Sequence, residues 1–217
     1  MLTASRATTY AMCLLTGTLL TIVAALVHPN LAGDGAVELA MIAHSDAWLA
    51  IHWALLFGFV LSLTGLLGVV DRCAGTPGEA EARGGVMVGV FAYGAWMVVV
   101  TFMVGAGWTL AHVPAEGGAT ATQAVFVYDM IRPFALAAQR VGAFALGIST
   151  CLLGWGALGA RMKPQWLGWA GVASGVIAIA LAVLFGEATK ADQAAFVLPV
   201  LWQFVTAVVL LAERSRA

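Results

Sequence analysis

Six nearly uncharged runs, each close to the roughly 20 residues a helix needs to cross a bilayer, constrain this chain more than any other feature. They lie at Thr9–Val27, Ala47–Val70, Gly85–Ala111, Pro133–Ala160, Trp166–Gly186 and Ala195–Ala212. Isolated strands are excluded because lipid offers no partner to exposed backbone groups. A membrane barrel is disfavoured because the runs are continuous and lack alternation. The expected fold is an all-α integral membrane protein, a single six-helix bundle over residues 1–217. Arg6 ahead of an apolar stretch has the look of a signal peptide. The stretch from Tyr10 to Val27 exceeds a signal core of about 7–15 residues, so it is expected to be kept as the first span.

Composition agrees. Hydrophobic residues make up 62% and charged residues 10% of the 217, with a mean hydropathy of +0.95. A soluble domain carries about a quarter charged residues, so lipid is the expected solvent. The net charge of −1, with no basic run, gives no footing for nucleic acid. Three cysteines without metal-type spacing indicate neither a disulfide framework nor a zinc knuckle.

The connections sort by charge. One side carries Arg6, Arg72, Arg83, Arg161, Lys163, Arg214 and Arg216. The other carries Asp34, Glu38, Asp46, Glu116, Asp129, Glu187 and Asp192, with Arg132 and Lys190 as its only basic residues. The excess of Lys and Arg in cytoplasmic loops places both termini in the cytoplasm and the acidic side outward. Trp48, Trp53 and Trp108 then mark the outer interface and Trp155, Trp166 and Trp169 the inner one, while Trp96 and Trp202 lie deeper as packing residues. Gly85-Val-Met-Val-Gly89 and Gly171-Val-Ala-Ser-Gly175 are small-xxx-small patterns that permit close helix approach. Each longer outer loop holds a part-apolar segment, "AVELAMIAH" and "TQAVFVYDMI", expected to form a short helix on the membrane surface.

The run "IHWALLFGFVLSLTGLLGV" after an acidic loop, with "PQWLGWAGVASGVIA", resembles a broad group of uncharacterised bacterial six-helix integral membrane proteins. The resemblance implies the six-helix layout and an inner-membrane location. It implies no activity.

All four histidines fall on the outer side. His28 and His112 each end a span just before a proline, where imidazole suits the unpaired carbonyls and the negative end of the helix. His44 precedes an expected helix cap at Ser45 or Asp46 and is expected to be solvated. His52 lies about 9 Å into the second span at roughly 1.5 Å per residue, one turn from Trp48. Arg140, two turns into the fourth span if Pro133 opens it, has two readings. It is an inward-facing functional arginine, or it snorkels to the outer headgroups. Gln139 and Arg132 extend the same polar seam.

Together His28, His52, His112 and Arg140 are candidates for one pocket beneath the outer surface. Haem b needs two facing imidazoles, with the arginine for its propionates. Copper or zinc needs three or four of His28, His44, His52 and His112, with Asp46 or Met41 as further donors. An anionic headgroup or a quinone needs only Arg140 and a few donors. No haem-attachment motif, phosphate loop or nucleophile elbow is present, and no Asp or Glu stands mid-span to couple transport to an ion. The expected function is a non-catalytic accessory or ligand-binding membrane subunit, with the lipid bilayer and membrane-protein subunits or a second copy as partners. The alternatives are a haem- or metal-binding redox component, and a small transporter or channel.

Overall fold

The computed structural model describes residues 4–29, 31, 33–113, 118–185 and 189–214, and the regular structure among them is helical, without a strand. In chain order the helices are α1 (Ala4–Val27), α2 (Gly35–Ala43), α3 (Trp48–Cys73), α4 (Glu79–Phe102), a π-helical turn (Met103–Gly107), α5 (Trp108–Ala111), α6 (Ala119–Gly159), α7 (Gln165–Leu184) and α8 (Lys190–Arg214). Six helical segments are long and apolar enough to cross a membrane, with α4, the π-turn and α5 forming one of them. The chain is a multi-pass helical membrane protein. Pro114, Glu116, Gly186, Glu187 and Arg216 lie outside the described residues.

The long helices close into a ring in the order of the sequence. α1 packs on α3, α3 on α4, α4 on α6, α6 on α7, α7 on α8, and α8 returns to α1. Short connections favour such sequential neighbours. With little hydrophobic drive between helices in lipid, close backbone approach has to hold them together. The small residues supply it. A Cβ on Gly154 would stand 2.6 Å from Val172 N and 2.7 Å from Gly168 O, and one on Gly85 would meet Leu153 and Ser149. Both glycine patterns expected as contact faces, Gly85/Gly89 and Gly171/Gly175, lie buried against α6. At the bundle centre Phe59, Tyr93, Trp96 and Phe196 pack edge to face and tilted, Trp96 on Phe196 at 4.3 Å. Phe57, Met87, Phe91, Phe134 and Trp166 point outward, as side chains bathed in lipid would.

The two ends differ in chemistry. At one end Arg6 meets Asp71 at 3.5 Å and Arg72 meets Glu213 at 2.7 Å, tying the start of α1 and the finish of α8 to the end of α3. At the other, α2, α5 and the first turns of α6 form a cap over the ends of α1 and α3. Leu39, Ile42, Trp48 and Tyr128 are its core, with Leu31, Phe102, Met103 and Trp108 packed around them.

Three local expectations are corrected here. The segment "TQAVFVYDMI" does not lie as a separate surface helix, and Pro133 does not open the fourth span. α6 runs through Pro133 for 41 residues, about 61 Å at 1.5 Å per residue against a hydrocarbon core of about 30 Å. Protein contacts hold its first turns upright. Ala124, Tyr128 and Arg132 share a face at helical spacing, where Ala124 and Tyr128 are buried and Arg132 pairs with Glu38 of α2. The other segment is a helix as expected, but α2 faces protein. Its Gly35, Glu38, Leu39 and Ile42 side is buried. Finally, neither Ser45 nor Asp46 caps α3 with its side chain. The N-cap is Ala47, and a backbone turn from Trp48 N to Ser45 O at 3.0 Å closes the entry.

Candidate functional site

The site follows from where α1 stops. Proline at 29 lacks an amide hydrogen to continue the ladder, and α1 ends at Val27. His28, expected to cap the carbonyls of its own last turn, turns forward instead. Its Nδ1 lies 2.7 Å from Pro29 O and its ring faces α3. His52, on the second turn of α3, places Nδ1 2.7 Å from Trp48 O. The two Nε2 atoms face each other at 3.3 Å.

That geometry fixes the Nδ1 protons. A carbonyl oxygen only accepts, so each Nδ1 carries an N–H, and in the neutral ring each Nε2 carries its lone pair inward. His52 is buried and His28 half-buried. Burial holds His28 below the ordinary imidazole value, with the bond to Pro29 opposing it more weakly. The pair therefore brings two Nε2 atoms to one point.

Trp48 supplies the third wall. It was expected in the interfacial belt, yet it is wholly buried. Its indole ring sits 4.2 Å from the His52 ring and 5.3 Å from that of His28. Its Nε1–H donates to Met103 O at 3.1 Å. The π-turn brings that carbonyl to the indole while also giving it the amide of Trp108 five residues on. Glycines at 105 and 107 sit in this turn, where their low helix propensity weakens the α ladder. Such single π-turns recur at functional sites.

The cap above is tied by Glu38. Although it sits in an apolar run, it is buried, accepts from Tyr128 Oη at 3.0 Å, and pairs with Arg132 Nη2 at 2.6 Å. Sequence reasoning assigned Glu38 to the acidic outer surface. The missed signal was its register, since 35, 38, 39 and 42 form one helical face, as do Tyr128 and Arg132 four residues apart on α6.

The other candidates go elsewhere. His44 and His112 are exposed, and each donates from Nδ1 to the carbonyl four residues back in its own helix, Ala40 at 2.7 Å and Trp108 at 2.8 Å. His112 thus behaves as the expected helix-end cap, with its ring on Trp108 at 3.9 Å. Arg140 reaches across to a neighbouring helix. Its guanidinium binds Ala182 O at 2.6 Å and Val183 O at 3.0 Å, two of the orphan carbonyls in the last turn of α7. Gln139 donates to Asp192 and Arg132 reaches Glu38, so the expected polar seam divides among three partners. The structure brings His28 and His52 together and leaves His44, His112 and Arg140 outside. Among the described residues no three His, Cys, Asp or Glu side chains converge as a metal site.

Comparison with protein-family models, curated proteins and solved structures finds no match for the chain. Function has to be argued from the site alone.

Proposed function

We propose that this chain is a non-catalytic membrane subunit that binds a ligand at the His28–His52 pair, beneath a cap facing away from the cytoplasm. The observation that carries this reading is the convergence of two lone-pair nitrogens inside an otherwise hydrogen-bonded bundle end. The inward orientation of both termini rests on the distribution of Lys and Arg among the connections. A place in the inner membrane of a bacterial cell rests on the resemblance of its apolar segments to six-helix proteins of that kind. Lipid-facing helix surfaces rich in small and apolar residues suit contact with a partner subunit or a second copy.

A redox component is the second reading, and the two imidazoles favour it in its metal-binding form. Haem fits them poorly. Trans imidazoles on one metal stand about 4 Å apart at metal–nitrogen lengths of about 2.0–2.1 Å, whereas these nitrogens are 3.3 Å apart with Trp48 packed on both rings.

Accessibility tests the binding reading against a conduit. In a cysteine-free background, His44→Cys and His28→Cys should react with a membrane-impermeant thiol reagent applied from outside the cell. Ser62→Cys and Gln203→Cys, at buried positions along α3 and α8, should not. Reaction at 62 or 203 would replace the binding subunit by a channel or carrier. Labelling of position 44 from the cytosolic side alone would reverse the orientation.

A further inference from the structure

Several buried polar groups lie outside the imidazole pair. Tyr93 Oη donates to Gln203 Oε1 at 2.7 Å near mid-bundle, leaving Gln203 Nε2 and Trp96 Nε1 without acceptors among the described residues. These are spare donors with no charge to move. Arg140 is spent on α7, and Glu38 on Arg132 and Tyr128. Among the described residues, His28 and His52 bring two imidazole nitrogens to a shared point.

Three features of that pair agree on what fills the point. First, two lone pairs facing at 3.3 Å repel unless an electrophile lies between them. A hydrogen bond between the rings would need a proton on one Nε2 in addition to its Nδ1–H, making that ring a cation. Two nitrogens on one tetrahedral centre at about 2.0–2.1 Å instead stand about 3.3–3.4 Å apart. Second, both rings donate Nδ1–H to a backbone carbonyl. That outer bond is the usual means of orienting a metal-bound histidine and fixing Nε2 as its donor. Third, the electrostatics select the charge. No carboxylate or thiolate joins the pair among the described residues, and the cost of burying an ion grows with the square of its charge, so a monovalent ion costs about a quarter of a divalent one.

We infer that His28 Nε2 and His52 Nε2 chelate a single cuprous ion at the capped end of the bundle, its remaining positions open to an exogenous ligand. Imidazole is an accepted ligand of copper and zinc alike, and charge, rather than donor type, favours Cu⁺ over Zn²⁺ here. The inference rests on the ligand-binding reading above and names its ligand.

The test uses the full chain in lipid nanodiscs under anaerobic reducing conditions. Cu⁺ is titrated in competition with a chromogenic chelator, and Zn²⁺ is titrated in parallel. Wild type should hold one Cu⁺ per chain. His28→Ala and His52→Ala should each weaken it at least about 100-fold, the upper end of what loss of even an outer-shell partner costs a metal site. His44→Ala and His112→Ala should change it less than about twofold. Because a variant can fail to fold, X-ray absorption of the copper-loaded wild type supplies a second readout, with imidazole scatterers at about 2.0 Å expected. Copper bound no better than by the His28→Ala/His52→Ala double variant, or an absorption edge without imidazole, would overturn the site. Tighter Zn²⁺ binding at the same histidines would overturn the cuprous assignment. Should copper fail to bind while the labelling pattern above holds, the metal is wrong and the outer binding site stands. Labelling at 62 or 203 removes both.

Discussion

The middle of the bundle and its capped end both bury polar side chains, and they do so to opposite effect. In the middle, threonine hydroxyls are consumed locally. Thr18 donates to Leu14 O, Thr21 to Gly17 O, Thr150 to Leu146 O and Thr206 to Trp202 O, each within its own helix, and Ser149 crosses to Gly85 O. These bonds remove polarity and let glycine-lined helices touch. At the capped end, carbonyls take up the Nδ1–H groups and thereby push the Nε2 lone pairs toward one another. The same backbone acceptors silence polar groups in one region and aim them in the other. Polar burial marks a site only where it leaves donors or acceptors converging.

The largest expected effect breaks the middle and spares the pair's chemistry. Gly154→Val inserts atoms where α7 backbone already stands 2.6–2.7 Å from the would-be Cβ. Overpacking costs about 1–3 kcal/mol and occasionally more, and rigid backbone at this distance puts the change above about 3 kcal/mol, read as a fall in thermal unfolding temperature in detergent. A neutral result would mean α6 and α7 are not in backbone contact.

Next comes the cap. Arg132→Ala strands a buried carboxylate, since Glu38 keeps only Tyr128 as a partner. Losing one member of a buried pair costs about 3–5 kcal/mol. Arg132 is partly exposed, so about 2–3 kcal/mol is expected here, confined to α2, α5 and the first turns of α6. Hydrogen exchange should accelerate in α2 and leave α7 and α8 unchanged. Glu38→Gln should be milder, because the neutral amide needs no cation.

Arg140→Met is the smallest. It removes two bonds to the end of α7, where cations and caps contribute about 0.3–1 kcal/mol each, and it should leave ligand binding at His28 and His52 within twofold. A large loss of binding would restore the single four-residue pocket that the contacts divide.

How much of this was legible in the sequence depends on the scale of the signal. Span number and the small-residue faces are carried by 20-residue averages and repeated glycines, which local detail cannot mask. The cap was harder to read because its determinants lie far apart in the chain. Glu38 finds Tyr128 and Arg132 some ninety positions away, and without that pairing a proline after a charged segment reads as a helix start. Trp48 looked interfacial because tryptophan beside a span end usually is, and nothing local announced that Met103 would supply its acceptor. For the histidines, spacing placed all four at one end. It could not tell a ring that bonds its own helix and is left exposed, as His44 and His112 are, from one that makes the same bond and is buried against a neighbour, as His52 is. The proline at 29 was the visible clue for His28, and it was read as a stop signal rather than a redirection.

The central claim is that a buried and a half-buried imidazole present Nε2 lone pairs to each other, and tautomer assignment tests it most directly. Nitrogen-15 NMR of histidine-labelled, metal-free protein, with His28→Gln and His52→Gln used for assignment, should show Nδ1 protonated and Nε2 unprotonated at both positions at neutral pH. Protonated Nε2 at both rings, with Nδ1 bare, would contradict the account.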